Sequence, residues 1–495
     1  MKSNIRLLVL SLLVVHSSFA QNLDDALRYS RQGLNGTSRY VSMGGAFGAL
    51  GGDLSAINNN PAAVGVFLYS ELNITPDFNY TTSKASYLGS NASDLKFNFN
   101  LDNLGFVGSL KILEGPLKAI NYGFTYKRTS NFHQNIYANG YNNSNTVTDY
   151  FAEQTNGTYI SDLDEGNEYA SDLSYDAYNA YLINPTNLSD TNTIYVSMYN
   201  QNGIEQSIYQ QTTGYNSEYT FSVGFNYNDQ LYGGLAIGFN SVRYVYRTTI
   251  EEIDSKNQID NFKQMEYEDN FTTTANGYNF KLGLIYKITP WLRFGTSFQT
   301  PNVIKLSDSY YHVIKSSVSP DGLSYKNYNL RSGDGAYDYK IITPMRLMAG
   351  LGFTIDKKAV ISMEYEYVEY RTASLRSYYS ASEFSDANRD IKDFLAAGHN
   401  AKIGLEYRLG ITSLRAGFNY LGSPYSNSQI NKNAYTLYYT GGIGFNFNNI
   451  YIDMAYALGN SSYYQYPYLL KQADVQPYLV DKTTSQFLTT IGIRF

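Results

Sequence analysis

The joins between alternating segments of this chain sort by parity, and few folds permit that. Period-two alternation marks fourteen segments: 69–80, 95–112, 119–130, 217–228, 231–248, 273–287, 291–300, 341–356, 358–371, 398–409, 412–422, 436–448, 450–459 and 483–495. Every second join is tight: Glu114-Gly115-Pro116-Leu117, Asn228-Asp229-Gln230, Thr289-Pro290, Asp356-Lys357-Lys358, Gly410-Ile411 and Asn448-Asn449. The others are long, beginning with 81–94 and continuing with 131–216, 249–272, 301–340, 372–397, 423–435 and 460–482. A soluble sandwich has no reason to sort its loops this way. The pattern predicts an all-β fold, a 14-stranded antiparallel transmembrane β-barrel with short turns at one rim and long loops at the other. The even count puts both termini at the rim of the short turns, the periplasmic side.

Composition agrees. Charged residues make up 16% of the 495, with 51 Tyr and 26 Phe against one Trp. That suits strands with lipid on one face and a polar or packed lumen on the other. In 401–409, Ala401, Ile403, Leu405, Tyr407 and Leu409 oppose Lys402, Gly404, Glu406 and Arg408; in 414–420, Leu414, Ala416, Phe418 and Tyr420 oppose Arg415, Gly417 and Asn419. The first set of each is read as facing lipid. The last strand alternates through Phe487, Thr489, Ile491, Ile493 and Phe495. A C-terminal Phe on such a strand resembles the signal read by the outer-membrane barrel insertion machinery. Trp291 and tyrosines near strand ends are assigned to interfacial girdles.

Residues 1–20 read as a signal peptide. Lys2 and Arg6 form a basic start, Ile5–Val15 is mostly apolar, and Ser18-Phe19-Ala20 offers small residues at −3 and −1. Export places the mature chain in an outer membrane, with the lipid bilayer as its first partner. No cysteine is present, which excludes disulfides, thiolate metal sites and a lipid anchor. A net charge of −6 without a Lys/Arg cluster excludes nucleic acid as a partner.

The segment 21–68 does not alternate. Asn22 is placed as cap of a short helix with Asp24 and Asp25 in its first turn, one face from Leu23, Ala26 and Leu27, and Gly33 as its stop. A small, glycine-rich run follows over Met43–Gly52; Asp53 is placed as cap of a turn over Leu54–Asn58, and Asn60-Pro61 as cap and first residue of a helix. A lumen of fourteen strands leaks unless filled, so this segment is expected to plug it.

Ser42-Met43-Gly44-Gly45-Ala46-Phe47, Asp53-Leu54-Ser55-Ala56-Ile57 and Asn60-Pro61-Ala62 resemble the hatch signature of the FadL/TodX family. Members of that family are outer-membrane transporters for long-chain fatty acids and other hydrophobic compounds. Thr343-Pro344-Met345-Arg346-Leu347, Glu364-Tyr365-Glu366-Tyr367 and Leu414-Arg415-Ala416-Gly417 leading to Gly422-Ser423-Pro424-Tyr425 match in character. Ala63 stands where the family usually has Gly. The resemblance implies passive uptake of a hydrophobic small molecule, with Gly44, Gly45, Asn60, Pro61 and Ala62 as the gating element. It assigns no ligand-binding residues. FadL-like barrels also resemble the barrel subunit of the type IX secretion machinery, which engages cargo or a translocon. The alternative function is therefore docking of a protein partner on extracellular loops rich in Tyr and Asn.

No nucleophile elbow, zinc-protease motif, Walker A motif or dinucleotide fingerprint occurs, so no enzyme is expected and no cofactor or metal is assigned. His133 and His312 fall in expected loops and His399 at a strand start. Asp162, Asp164, Glu165 and Glu168 form an acidic run read as a solvated surface.

Overall fold

The computed structural model describes residues 19–163, 170–198, 203–356, 358–471 and 473–495. The basic start and apolar run of the N-terminus, and Asp164, Glu165 and Glu168 of the acidic run, lie outside these residues. Among the described residues fourteen strands close into one antiparallel ring. They are β1 (Glu71–Tyr87), β2 (Ser90–Lys111), β3 (Leu117–Asn131), β4 (Ile204–Tyr227), β5 (Leu231–Ile253), β6 (Phe262–Thr289), β7 (Leu292–Gln299), β8 (Arg346–Ile355), β9 (Ala359–Glu369), β10 (Ala397–Leu409), β11 (Thr412–Leu421), β12 (Thr436–Phe447), β13 (Ile450–Gln465) and β14 (Tyr478–Arg494). Each pairs with the next, and β1 closes on β14 from Glu71↔Arg494 to Ser86↔Leu479. Closure leaves no edge in the bilayer, where an unpaired backbone group would find no water.

The faces divide as the alternation requires. Phe78, Phe99, Phe221, Leu235, Leu282, Leu405 and Phe487 point outward and form an apolar belt with their neighbours. Cross-strand ring pairs knit the belt: Phe78–Phe99 at 5.2 Å, Phe124–Phe221 at 5.0 Å, Tyr456–Phe487 at 4.7 Å between centroids. Lys402, Glu406 and Asn419 are buried inward. Five of the six tight turns carry a residue of positive φ: Gly115, Asn228, Asp229, Asp356, Gly410 and Asn448. Phe495 ends at the same rim, its N–H donating to the Ser70 carbonyl at 3.0 Å.

Several expected loops are walls instead. The join 81–94 is no long loop: β1 and β2 pair to Tyr87↔Ser90, and Leu88-Gly89 turn the chain at φ 48° and 86°. Val303–Val318 continues β7 past a break at Thr300-Pro301-Asn302, still paired with β6 (Val303↔Tyr278). Gly335–Ile342 precedes β8 across a matching break at Thr343-Pro344-Met345. Proline lacks the ladder donor, which is why both strands break there. Gln134–Asn142 likewise pairs with β4. Beyond the belt the outward face meets water, so Thr82, Lys84 and Ser86 replace the apolar half of the alternation.

Two bodies fill the ends. At the outer mouth α3 (Val147–Thr155, numbered after two helices described next), α4 (Asp172–Asn179) and a ribbon of Ile183–Pro185 with Tyr195–Ser197 pack as a cap. Phe151, Leu182 and Tyr195 join Tyr87, Ile250 and Met265 of the walls in one core. Inside the barrel lies the N-terminal segment: α1 (Phe19–Ser30), α2 (Ser38–Ser42) and single 3-10 turns over Ser55–Asn58 and Pro61–Val66. The helix α1 begins at Phe19, so Asn22 sits within it and does not cap it. Asp53 does serve its turn, accepting from the Ser55 N–H at 2.9 Å.

Candidate functional site

The five residues singled out in the sequence are all buried in the lumen, but they do not form one cluster. Gly44 faces β11 while Gly45 turns against Leu34 and Tyr40 of the same segment, and Asn60-Pro61-Ala62 face β5 and β6, five to six places round a ring of fourteen. The segment therefore braces two nearly opposite walls. Asn60 links its halves: its Nδ2 donates to the Gly48 carbonyl at 2.7 Å and to Leu284 on β6 at 3.3 Å. Its Oδ1 accepts from the Ala62 N–H at 3.0 Å, with Pro61 following as the first residue of the turn.

Contact with the walls is backbone to backbone, and glycines on the strands permit it. A Cβ on Gly283 would lie 1.9 Å from Asn60 Oδ1, one on Gly234 2.3 Å from the Pro61 carbonyl, one on Gly295 2.2 Å from the Gly48 carbonyl, and one on Gly417 2.2 Å from the Gly44 N–H nitrogen. Gly44 and Gly45 turn at φ +63° and +76°, and a side chain on Gly44 would strike Phe418.

Wall side chains then grip the segment's exposed backbone groups. Lys281 Nζ, ion-paired to Glu218, donates to the Asn58 carbonyl at 2.7 Å. Asn58 Nδ2 donates to Glu218 Oε1 at 3.2 Å and Thr220 Oγ1 at 2.9 Å. Glu364, held by Lys402 at 2.6 Å, accepts from the Gly48 N–H at 2.7 Å. Arg346, paired with Glu366 at 2.9 Å, donates to the Ser30 carbonyl. Asn121 Nδ2 reaches the Val64 and Phe67 carbonyls, both at 2.8 Å. Arg346, Glu364 and Glu366 stand in the stretches that match the family in character and Lys402 on an inward face, but none was assigned this role, and Asn121, Glu218, Thr220 and Lys281 were not singled out. The signal was there as buried-face charges in 218, 281, 364 and 402, but the pattern alone does not say which carbonyl each would meet.

The ring closed around an internal N-terminal segment is the decisive geometry, and solved structures share it. A FadL homologue of Pseudomonas aeruginosa superposes with a TM-score of 0.57 at 11% identity, covering 94% of this chain and 100% of that chain. The toluene transporter TodX of Pseudomonas putida gives 0.52 at 12%, with 94% and 100% covered. The chain has the FadL-type fold. No protein-family model and no curated protein matches the sequence.

Above α1, this FadL-type barrel holds a cavity of about 770 Å³. Leu23 and Leu27 of α1 and Arg31 just past its end form its floor, Val147 and Tyr150 of the cap its roof. Tyr244, Phe271, Ile430 and Tyr463 come from separate walls and loops. Arg28 is occupied, paired with Asp25 and stacked 4.1 Å over Tyr244. Arg31 and Lys482 also line the space and enter no ion pair among the described residues. These lining residues went unassigned in the sequence because they converge from at least six distant stretches.

The histidines lie apart. His133 sits above β3, where burial first, then the Arg128 and Lys96 charges, push its imidazole down to about 4. His312 Nε2 meets Asp176 at 2.9 Å, tying the cap to the Val303–Val318 wall. His399 Nδ1 bonds Tyr365 Oη at 2.6 Å on the outer face. Among the described residues no three His, Cys, Asp or Glu gather as a metal group.

Proposed function

We propose that this chain is a passive outer-membrane channel for uptake of hydrophobic small molecules, with residues 21–68 as its hatch. The observation that carries the reading is the aromatic and aliphatic cavity set between the cap and the internal segment. The fold supports it, since the two neighbours above are named as a toluene transporter and a FadL homologue. A molecule caught under the cap would rest on α1 and pass when Asn60-Pro61-Ala62 and the Gly44-Gly45 turn leave their wall contacts. Each buried methylene contributes roughly 0.8 kcal/mol. Asp24, Asp269 and Asp390 line the same cavity, but Arg31 and Lys482 are lining cations outside any ion pair among the described residues and give an anionic head a place, so the cargo proposed is a long-chain carboxylate.

The test is mass spectrometry of the barrel extracted in a short-chain detergent. A fatty carboxylate retained near one-to-one, and lost at least tenfold in Arg31→Gln/Lys482→Gln, supports the reading. An empty cavity after incubation with oleate and with toluene, in a barrel that is correctly folded, overturns it.

A further inference from the structure

One sector of the lumen is built unlike the rest. The inward positions of β1 run Glu71, Asn73, Thr75, Asp77, Asn79, Thr81 and Ser83, polar without interruption and all buried. Elsewhere the internal segment meets the walls through Val107, Ala455, Ala457 and Leu488 and packs around its own Phe47, Leu54 and Ile57. Beside β1 it meets the two flanking strands with polar groups instead: the Gly36 N–H donates to Asp102 on β2, the Ser38 N–H to Thr490 on β14, and Asn35 accepts from Gln486 on β14.

The strand pairing shows a deliberate feature in this sector. Regular alternation on β2 would turn either Asp102 or Asn103 inward. Both are fully buried, because the register slips: Thr75 opposes Asn103 and Pro76 opposes Leu101, leaving Asp102 as a bulge. Bulges re-aim side chains, and Pro76, which has no N–H to pair, marks the slip. Asp77 opposes Asn100, two residues from Asp102 on the same face. Such diagonal neighbours sit roughly 7–8 Å apart. Two carboxylates thus share one patch of the lumen.

Their hydrogen bonding is unfinished. Among the described residues Asp77 Oδ1, Asp102 Oδ1, Asn73 Oδ1, Asn103 Oδ1 and Gln486 Oε1 accept no hydrogen bond, and Asn79 Nδ2 and Asn98 Nδ2 donate none. The opposite oxygens are used: Asn100 Nδ2 donates to Asp77 at 3.4 Å and the Gly36 N–H to Asp102 at 3.1 Å. Arg128 donates to Asn100 Oδ1, and the buried Lys127 is a second cation whose charge reaches Asp102. Unpaired acceptors here outnumber unpaired donors. Buried polar atoms in native proteins are satisfied by protein, water or ions. Oxygen-rich sites of this kind suit hard cations.

The polar row reaches an open space at each end, while Asn73, Thr75 and Asp77 between them are buried and line neither space. Asn79 and Thr81 line the cavity under the cap. Glu71 lines a cleft of about 180 Å³ at the periplasmic rim, with Thr37 and Asp53. At ~3.3 Å per residue the stretch between runs roughly 26 Å along the strand, or roughly 19 Å of height at a tilt of ~45°, most of the apolar belt.

We propose that the inner face of β1 is a hydrated passage for small monovalent cations beside the internal segment, with Asp77 and Asp102 as its selectivity site. Polar traffic would then have a path distinct from the apolar one, and the reading does not depend on what the cavity binds. The test is current across planar bilayers holding the full-length protein under a tenfold KCl gradient. The wild type should pass small currents with a K⁺ to Cl⁻ permeability ratio of several-fold. Asp77→Asn/Asp102→Asn should bring that ratio near one. Should that pair fail to fold, Asn79→Leu at the upper mouth should cut the current several-fold. No current above that of protein-free bilayers, or a ratio unmoved in the folded double variant, overturns the proposal.

Discussion

The lower lumen and the upper lumen are lined by the same strands and work by opposite chemistry. Below, the segment is held by glycine and charge: Gly234, Gly283 and Gly417 bring backbones together, and the Glu218–Lys281 and Glu364–Lys402 pairs grip its backbone at Asn58 and Gly48. Above, inward positions are large: Tyr244, Tyr246, Tyr267 and Phe271 leave a space where rings can shift. Small residues with buried charges give one defined fit, because a misplaced partner strands a charge. Aromatic walls give a tolerant fit, because each ring meets apolar ligands in many poses. The barrel separates holding a segment still from holding a variable guest, one storey for each.

Three substitutions break the lower storey in decreasing order. Lys281→Met removes the counter-ion from buried Glu218 and the donor to the Asn58 carbonyl, and should cost about 3–5 kcal/mol. Urea unfolding in lipid vesicles reads this, and adding Glu218→Leu should restore most of the loss, since the stranded charge is then gone. Gly283→Val drives a side chain into Asn60 and should cost about 1–3 kcal/mol. Limited proteolysis should cut the internal segment faster while the strands stay protected; unchanged cleavage would mean the corner yields freely. Asn60→Ala loses the turn cap and the tie to Gly48, about 1 kcal/mol. Hydrogen exchange over 55–66 should quicken roughly five-fold or more, with the cap region unaffected. Oleate retention unchanged in all three would show that the two storeys are independent.

Much of this was legible in the sequence, for a physical reason. The belt forces apolar side chains onto every second position, so strands such as 401–409 announce both their faces and their count. The turns at Gly115, Asn228 and Asn448 need a left-handed residue and say so. Legibility stops where lipid stops. The pairing of β1 to β2 as far as Tyr87↔Ser90 and the Val303–Val318 wall lack an apolar outer row, so they read as loops. The Asn60-Pro61 turn was legible from local chemistry, whereas the Lys281 grip on Asn58 joins residues 223 apart and leaves no local trace. The cavity is the extreme case, assembled from residues each ordinary in its own strand.

Closure of the ring has a consequence for how the molecule is assembled. β1 and β14 are the first and last strands made, and nothing nearer in the chain can stand in for either. Bringing such distant ends together carries a loop entropy of about 5 kcal/mol for several hundred residues. The internal segment lies upstream of β1, yet Ser38 bonds Thr490 at 2.7 Å and Asn35 accepts from Gln486 at 3.1 Å, both on β14. The seam that seals the cylinder is therefore riveted from within by the piece it encloses, and order of synthesis puts that piece on hand before the final strand emerges.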